Sequence, residues 1–275
     1  MAALRPLLLG VMLACLGSAT TASASVLFTV NESGDVLESY DTTTSTFTTI
    51  GPLGVTFDFG GLAYNSSNGL LYGVDGRGAQ QLFTVDMNTG AATVIGTHGI
   101  VDLFGIAYDS VNNRMYGTQF ARGSSLYEMN MATGAATLIG NMGTGIGGLT
   151  YDSANDRLLG VSDGAGTIFE IDRGTASTTV VANPGGNNDS GFTYDPENNL
   201  YWNIDWNGNL YSLDPTNSFN RTLVASGLGA HDGLAYVSDF GGGNNAVPEP
   251  SSIAIWSSIL LGGLGLGWRR KRLAS

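Results

Sequence analysis

A short motif, Gly-x-Ala/Thr-Tyr, recurs five times along the chain and constrains its fold more than any other feature of the sequence. Its copies begin at Gly61, Gly105, Gly148, Gly191 and Gly233, so the intervals between them are 44, 43, 43 and 42 residues. A period of about 40 to 45 residues is typical of β-propeller blades, each of which is a sheet of four short strands. The repeat therefore predicts a β-propeller.

Each copy of the motif is followed by three further segments that we predict to be strands. Second strands are predicted at 70–75, 114–119, 157–162 and 199–204, third strands at 82–86, 126–130, 168–172 and 210–214, and fourth strands at 92–96, 136–140, 178–182 and 221–225. Between third and fourth strands, Asp86-Met87-Asn88-Thr89-Gly90 is typical of a turn. The Asp side chain hydrogen-bonds nearby backbone and the Gly accepts a positive φ.

The two ends of the repeat complement each other. Residues 26–31, 37–41 and 47–51 form second, third and fourth strands without a motif before them, whereas the motif at Gly233 has no strands after it. Together they make a fifth blade, and the interval 26–240 spans 215 residues, which corresponds to five units of 43. We therefore predict an all-β, five-bladed propeller over residues 25–240, closed by pairing of its N- and C-terminal strands, which leaves no central edge exposed.

The repeats resemble those of bacterial extracytoplasmic propellers with Gly-x-Ala-Tyr blades, and are distantly similar to lactonase-type and quinoprotein-type propellers. This resemblance implies the fold but not the chemistry, because propellers host many unrelated functions.

The end of the chain has the composition of a membrane span. Residues 251–268 are 18 residues without a charge, which as a helix would reach about 27 Å, just short of the hydrocarbon core of a bilayer. Four basic residues follow it directly: Arg269, Arg270, Lys271 and Arg272. Basic residues stay on the cytoplasmic side, so we predict a transmembrane helix over 251–268 with the body of the protein outside the cytoplasm.

A short box precedes this helix: Val247, Pro248, Glu249 and Pro250. The box, the apolar stretch and the basic end together resemble the PEP-CTERM sorting signal of Gram-negative envelope proteins, here residues 247–275. The resemblance implies an inner-membrane anchored precursor, processing by an exosortase near the box, and release to the cell surface or extracellular space, commonly in organisms that make exopolysaccharide. A Gly/Asn-rich linker, residues 241–246, separates the signal from the body.

The N-terminus agrees with export. Arg5 precedes an apolar stretch at 7–16, and Ala22-Ser23-Ala24 provides a small-x-small cleavage site. These features predict a signal peptide over residues 1–24. The single cysteine, Cys15, lies within it, so the mature body has no disulfide and is held by its core.

The body is strongly acidic. Residues 26–240 contain 22 Asp and Glu against six Arg and no Lys, a formal charge of −16. This charge argues against nucleic acid as a partner. It is compatible with calcium, cationic surfaces or neutral sugars, and also with simple solubility.

Seven aspartates are expected at one mouth of the central channel. Loops entering the innermost strands carry Asp58, Asp102, Asp189 and Asp232, and loops joining second to third strands add Asp75, Asp163 and Asp205. Converging carboxylates provide the oxygen ligands that Ca²⁺ prefers, whereas the alternative is that they cap turns or face solvent. The third blade has Gly145-Ile146-Gly147 and no acid there.

Two further features bear on function. Trp202 and Trp206 alternate along a strand and its turn, so they form either a sugar-stacking platform or part of the core. The two histidines, His98 and His231, lie in no catalytic motif. We therefore expect a non-enzymatic propeller that binds exopolysaccharide or surface partners. The alternative is a surface or periplasmic hydrolase of glycosides or lactones that uses the mouth aspartates.

Overall fold

The protein is a five-bladed β-propeller. The computed structural model describes residues 25–120, 124–186, 189–238 and 240, which contain 20 strands in five four-stranded antiparallel sheets and one short 3₁₀ helix at Pro215–Asn217. The predicted fold of the body is confirmed, and the predicted strands agree with the observed ones to within one or two residues at each end.

The strands follow one another in the order that the repeat predicts. They are β1 (Val26–Asn31), β2 (Val36–Asp41), β3 (Thr46–Pro52), β4 (Gly60–Asn65), β5 (Leu70–Asp75), β6 (Gln81–Val85), β7 (Ala92–Thr97), β8 (Leu103–Asp109), β9 (Arg114–Gln119), β10 (Ser125–Met129), β11 (Ala136–Asn141), β12 (Ile146–Asp152), β13 (Arg157–Ser162), β14 (Ile168–Ile171), β15 (Thr178–Ala182), β16 (Asp189–Asp195), β17 (Leu200–Asp205), β18 (Leu210–Asp214), β19 (Asn220–Ala225) and β20 (His231–Val237).

Both ends of the described chain contribute to one blade. Blade 1 has the strand order β20-β1-β2-β3, and blades 2 to 5 are β4–β7, β8–β11, β12–β15 and β16–β19. Antiparallel pairing of β1 with β20 extends from Val26 opposite Val237 to Asn31 opposite His231. The innermost strands β4, β8, β12, β16 and β20 carry the five motifs and contact one another around the ring. The ring is therefore closed as predicted.

The glycine of the motif is required because the innermost strands lie so close together. A Cβ atom on Gly105 would lie 2.9 Å from the Cβ of Leu149 in the next blade, and one on Gly148 would lie 2.7 Å from the Cβ of Phe192. Real Cβ atoms do not approach so closely, so a larger residue would push two blades apart. The motif glycines thus set the spacing around the channel.

The tyrosine of the motif fixes the turn that follows it. The hydroxyls of Tyr108 and Tyr151 donate to Asn113 Oδ1 at 2.9 Å and to Asp156 Oδ1 at 2.7 Å. Asn113 and Asp156 have φ values of 53° and 51°, a conformation that Asn and Asp tolerate better than most residues. The glycine of the motif thus sets the spacing between blades, and its tyrosine stabilises a turn within its own blade. Both roles are structural, so the recurrence of the motif carries no information about a ligand.

The core lies between neighbouring blades. One cluster joins Tyr72 and Leu82 of blade 2 to Ile106 and Met115 of blade 3, and four similar clusters lie around the ring. The innermost strands are buried along nearly their whole length, whereas the outermost strands are largely exposed. This arrangement places the loops at the two ends of the channel, where a ligand can reach them.

Within the described residues, no helix is both long and apolar enough to cross a membrane. The predicted signal peptide, the linker and the sorting signal with its helix at 251–268 lie outside the described residues.

Candidate functional site

One end of the central channel is rich in acidic side chains, and we call it the acidic mouth. It is formed by the loops that enter the innermost strands and the loops that join the second and third strands of each blade. These loops and the adjoining strand ends carry all seven predicted aspartates, and they add Glu32 from the β1–β2 loop.

Two of the predicted aspartates cap turns. The Asp75 carboxylate accepts hydrogen bonds from main-chain amides of the β5–β6 turn, at 2.9 Å from Gly78 and 3.1 Å from Gln80. Asp205 does the same in the β17–β18 turn, where it accepts from the Asn209 amide at 2.9 Å. Both carboxylates are buried by their own turns, so their oxygens serve the backbone rather than a ligand.

Two more aspartates form ion pairs. Asp102 accepts from Arg77 Nε at 2.7 Å, and the Arg77 guanidinium lies 3.2 Å from the centroid of the Phe59 ring. Asp189 accepts from Arg221 Nη2 at 2.6 Å. Burial raises the pKa of Asp189 to about 6, although Arg221 acts in the opposite direction. The mouth therefore also contains Arg77 and Arg221, which were not among the predicted site residues.

Asp58 and Asp163 are the more accessible of the predicted aspartates. Asp58 is exposed, and its pKa is raised by partial burial and by the nearby Glu32 carboxylate. Asp163 is half-buried, and burial raises its pKa as well. Carboxyl groups with raised pKa values in a concave site are typical of functional sites.

Asp232 differs from the other six. Its side chain is fully buried, and neither carboxyl oxygen makes a well-aligned hydrogen bond with the described residues, although polar groups of Glu32, Ser190 and Gly60 lie close to it. Burial is the largest cause of its raised pKa, followed by the close polar contact with the Glu32 carboxyl and then by the charge of that carboxyl, whereas the polar contacts with the Ser190 hydroxyl and the Gly60 amide lower the pKa. A buried carboxyl in this state is unusual, since buried polar groups are nearly always paired.

The seven aspartates do not converge on a single point. Among the described residues, no three or more His, Cys, Asp or Glu side chains form a group that could hold a metal ion. The prediction that many carboxylates share one ion therefore finds no support in the described part of the acidic mouth. Turn capping, which was part of the alternative, accounts for Asp75 and Asp205, whereas the ion pairs of Asp102 and Asp189 were not predicted.

A pocket of about 210 Å³ lies in the acidic mouth. It is lined by Phe59, Arg77, Phe104, Phe120, Asp163, Ser190 and Trp206. The Phe104 ring is tilted against both other phenylalanines, with centroids 5.1 Å from Phe59 and 5.9 Å from Phe120. We call these lining residues the aromatic pocket. Pockets with apolar walls and a few polar groups are where small ligands or ligand segments usually bind.

A β-bulge turns Phe104 and Ser190 toward the pocket. On β8, Leu103 pairs with Gln119 and Gly105 with Thr118, so Phe104 is an extra residue in the ladder. Ser190 is the extra residue at the equivalent place on β16. Bulges commonly redirect a side chain in this way. The sequence signal that was missed is the position before each motif glycine, which differs in nearly every blade: Gly60, Phe104, Gly147, Ser190 and Asp232.

The two tryptophans do not form one platform. Trp206 is 44% exposed and its Nε1 donates to Glu32 Oε2 at 3.0 Å. Trp202 is only 7% exposed, packs against Tyr40 between blades 5 and 1, and has its Nε1 3.4 Å from Asp195 Oδ2. The paired sugar-stacking platform is therefore wrong. Trp202 belongs to the core, and Trp206 alone lines the pocket.

The histidines are structural rather than catalytic in their contacts. His98 is buried, with Nε2 3.1 Å from the Asp75 carbonyl oxygen and Nδ1 accepting from the Ile100 amide at 3.2 Å. Burial lowers its pKa to about 4, so it is neutral at neutral pH. The Ser190 hydroxyl donates to the main-chain oxygen of His231 at 2.6 Å, not to the ring. A Ser–His nucleophile is therefore not formed by these residues.

The opposite end of the channel is lined by tyrosines and serines around a pocket of about 120 Å³. Its members include Tyr64, Tyr108, Tyr151 and Tyr236. The hydroxyls of Tyr108 and Tyr151 are used by turns, as described above, and that of Tyr236 donates to Ser25 Oγ at 2.9 Å. This end is therefore better explained by the architecture than by a ligand.

The chain matches no protein-family model and no curated protein. It is similar to a chain in a crystal structure of a nidogen/laminin complex, with 17% identity and a TM-score of 0.52 over 77% of this chain and 80% of that one. It is also similar to a structural genomics protein of unknown function from Bacteroides thetaiotaomicron, with 15% identity and a TM-score of 0.53 over 81% of this chain and 68% of that one. At this level of identity the similarity supports the β-propeller fold alone.

Proposed function

We propose that this chain is a non-enzymatic binding protein of the cell surface or extracellular matrix, and that its aromatic pocket binds a neutral polysaccharide such as exopolysaccharide. The observation that carries the proposal is the exposed Trp206 ring beside Phe104 and Phe120 in a pocket that also holds the Asp163 carboxyl. Aromatic faces accept the C–H faces of sugar rings, and carboxylate oxygens accept hydrogen bonds from sugar hydroxyls.

The charge of the body narrows the ligand class. With 22 acidic residues against six arginines over 26–240, anionic polymers are repelled over long distances. Arg77, a cation that lines the pocket, is already paired with Asp102. A neutral glycan avoids this repulsion and uses both the aromatic walls and the acceptors.

Export is part of the same proposal. It is supported by the signal-peptide pattern at 1–24 and by the resemblance of 247–275 to a PEP-CTERM signal, which implies an exosortase as processing partner and a membrane-anchored precursor. Fractionation of cells that express the full chain tests this part. We expect the body in the surface or medium fraction, and retention in the inner membrane when Val247-Pro248-Glu249-Pro250 is replaced by alanines. An unchanged distribution would contradict the sorting role.

Binding is tested with the purified full chain in detergent. Affinity electrophoresis or calorimetry against the exopolysaccharide of the producing cell is expected to show binding that Trp206→Ala weakens by about 10-fold or more, since stacking and exclusion of water concentrate in few residues. Val111→Ala is the matched control, because Val111 is exposed outside the pocket. Equal binding by both variants, or none by the folded wild type, would refute the proposal.

A second candidate is favoured by one observation. Asp163 lines the pocket, and burial raises its pKa. A carboxyl with a raised pKa suits the general-acid role that glycoside hydrolysis requires. Turnover on a panel of glycosides and lactones, abolished in Asp163→Asn, would support a hydrolase. Absence of turnover in the wild type would leave the binding role.

A further inference from the structure

Asp232 lies on the innermost strand of blade 1, beside Ser190 of the aromatic pocket. It is the second residue of β20, whose neighbours around the channel are β16 and β4. None of its side chain is exposed, and neither carboxyl oxygen makes a well-aligned hydrogen bond with the described residues. An ionised carboxyl in this state is costly unless something compensates its charge.

The neighbouring Glu32 carboxyl makes ionisation of Asp232 more unfavourable still. The Glu32 carboxyl lies within hydrogen-bonding reach of Asp232 and also acts on it as a like charge. Glu32 itself accepts from the Phe59 amide at 2.8 Å and from Trp206 Nε1 at 3.0 Å. Both donors are neutral. Among the described residues no salt bridge involves Asp232 or Glu32, because Arg77 is paired with Asp102 and Arg221 with Asp189.

We propose that Asp232 and Glu32 bind a Ca²⁺ ion beside the aromatic pocket, with the Ser190 hydroxyl as a neighbouring oxygen ligand. Ser190 lies beside Asp232 and also lines the pocket, so it joins the buried carboxyl to the solvent side. The available donors are all oxygens, which suit hard cations rather than zinc or copper. Ca²⁺ tolerates irregular arrangements of about six to eight oxygens, whereas Mg²⁺ demands a regular octahedron.

The five blades are similar in sequence, but the proposed ion site can form in blade 1 alone. The residues before the five motif glycines are Gly60, Phe104, Gly147, Ser190 and Asp232, so a carboxyl occurs in one blade alone at this level of the channel. Glu32 comes from the second-to-third loop of the same blade. Two carboxylates carry the charge that a divalent ion neutralises.

The ion would also order the pocket. Glu32 uses one oxygen for the indole of Trp206, so an ion that fixes Glu32 holds the Trp206 ring in the pocket wall. The site does not depend on what the pocket binds. Its failure and the failure of the polysaccharide proposal are therefore distinguishable.

The test uses the purified full chain in detergent after EDTA treatment and dialysis. Added Ca²⁺ is expected to raise the melting temperature by about 5 °C or more when its concentration is about 100 times the dissociation constant. Tb³⁺, which replaces Ca²⁺, is expected to luminesce on tryptophan excitation because Trp206 lies next to Glu32. Trp206→Phe should reduce this luminescence but keep the effect of Ca²⁺ on the melting temperature.

The variants separate the ion from its alternatives. Asp232→Asn and Glu32→Gln should each abolish the Ca²⁺ effect, whereas Asp163→Asn, a carboxyl of the same mouth, should keep it. Glu32→Gln remains informative if Asp232→Asn fails to fold, because Glu32 is partly exposed. A wild type that responds to neither Ca²⁺ nor Tb³⁺ would overturn the proposal and leave a proton shared by the two carboxyls. So would a Ca²⁺ effect that persists in both variants.

Discussion

Arg221 and Asp189 form a buried ion pair that links the outermost and innermost strands of blade 5. Arg221 Nη2 lies 2.6 Å from Asp189 Oδ1, and the two side chains are 10% and 0% exposed. On its way the guanidinium lies 4.0 Å from the centroid of the Tyr211 ring and donates to Asn203 Oδ1. One side chain thus spans the face of the blade from β19 to the start of β16.

We expect Arg221→Met to lower the free energy of unfolding by about 3 to 5 kcal/mol, because it leaves a buried carboxylate without its partner. The matched control is Arg114→Met, which breaks the ion pair with Glu128 at side-chain exposures of 53% and 40% and should cost less than about 1 kcal/mol. Urea denaturation at neutral pH measures both. Equal losses in the two variants would show that the blade 5 pair has no special weight.

A glycine of an outermost strand controls how neighbouring blades meet. A Cβ atom on Gly96 of blade 2 would collide with the Thr133 carbonyl oxygen of blade 3, and Gly51 meets the Thr89 carbonyl in the same way one blade earlier. Gly96→Ala should therefore destabilise the fold by about 1 to 3 kcal/mol. Gly164→Ala, where nothing lies within 4 Å of the new atom, should change stability by less than about 0.5 kcal/mol. Thermal or urea unfolding of the two variants makes the comparison.

The strands were predictable because their signals are local and repeated. The strand predicted at 70–75 coincides with β5, because the motif, the strand and the turn recur at nearly fixed intervals. Closure by β1 and β20 followed from counting which strands were absent at each end. The number of repeats, together with the incomplete repeats at the two ends, therefore predicts the closed ring, which the sequence of a single blade does not.

The site was less predictable because it depends on where blades meet. Trp202 and Trp206 look equivalent in sequence, yet one points between two blades and the other into the mouth. Phe104 is turned to the pocket by a bulge, which the sequence indicates through nothing more than the variable position before the motif glycine. Glu32 is part of the candidate site because its carboxyl lies beside that of Asp232, two hundred residues away in the sequence. Contacts of this range are set by the ring and not by any local pattern.

The two tryptophans should respond differently to truncation. Trp202→Ala removes a buried aromatic side chain and is expected to cost about 3 to 5 kcal/mol of unfolding free energy. Trp206→Ala, at a ring that is 44% exposed, should cost about 1 kcal/mol or less while it weakens ligand binding. Denaturant unfolding followed by circular dichroism tests both. A large loss of stability in Trp206→Ala would mean that this ring is part of the core.

Stability should fall in mild acid through His98. Burial lowers the pKa of His98 to about 4, so the folded state stays neutral while the unfolded chain takes up a proton below its ordinary pKa of 6.5. This stabilising contribution is fully present above about pH 6.5 and is lost as the pH falls toward about 4, by about 2 kcal/mol between pH 7 and pH 5. His98→Gln cannot titrate and should lose that much less over the same interval. Identical pH profiles of the two proteins would contradict the assignment.

Ring closure makes the point of truncation decisive. Phe240 packs edge-on against Phe28 with their centroids 5.0 Å apart, and it is the last described residue. Removal of residues 241–275 should therefore leave the melting temperature unchanged within about 2 °C, since every strand and core cluster of the described propeller is retained.

Removal of residues 231–275 also deletes β20. This removes Leu234 and Tyr236 from the core between blades 5 and 1, and it leaves β1 with an unpaired edge beside the channel. That variant should aggregate or unfold, because an exposed apolar edge strand pairs readily with other chains. Size-exclusion chromatography and thermal unfolding of the two truncations compare them directly. A stable, monomeric protein without β20 would show that the ring does not depend on closure between its first and last strands.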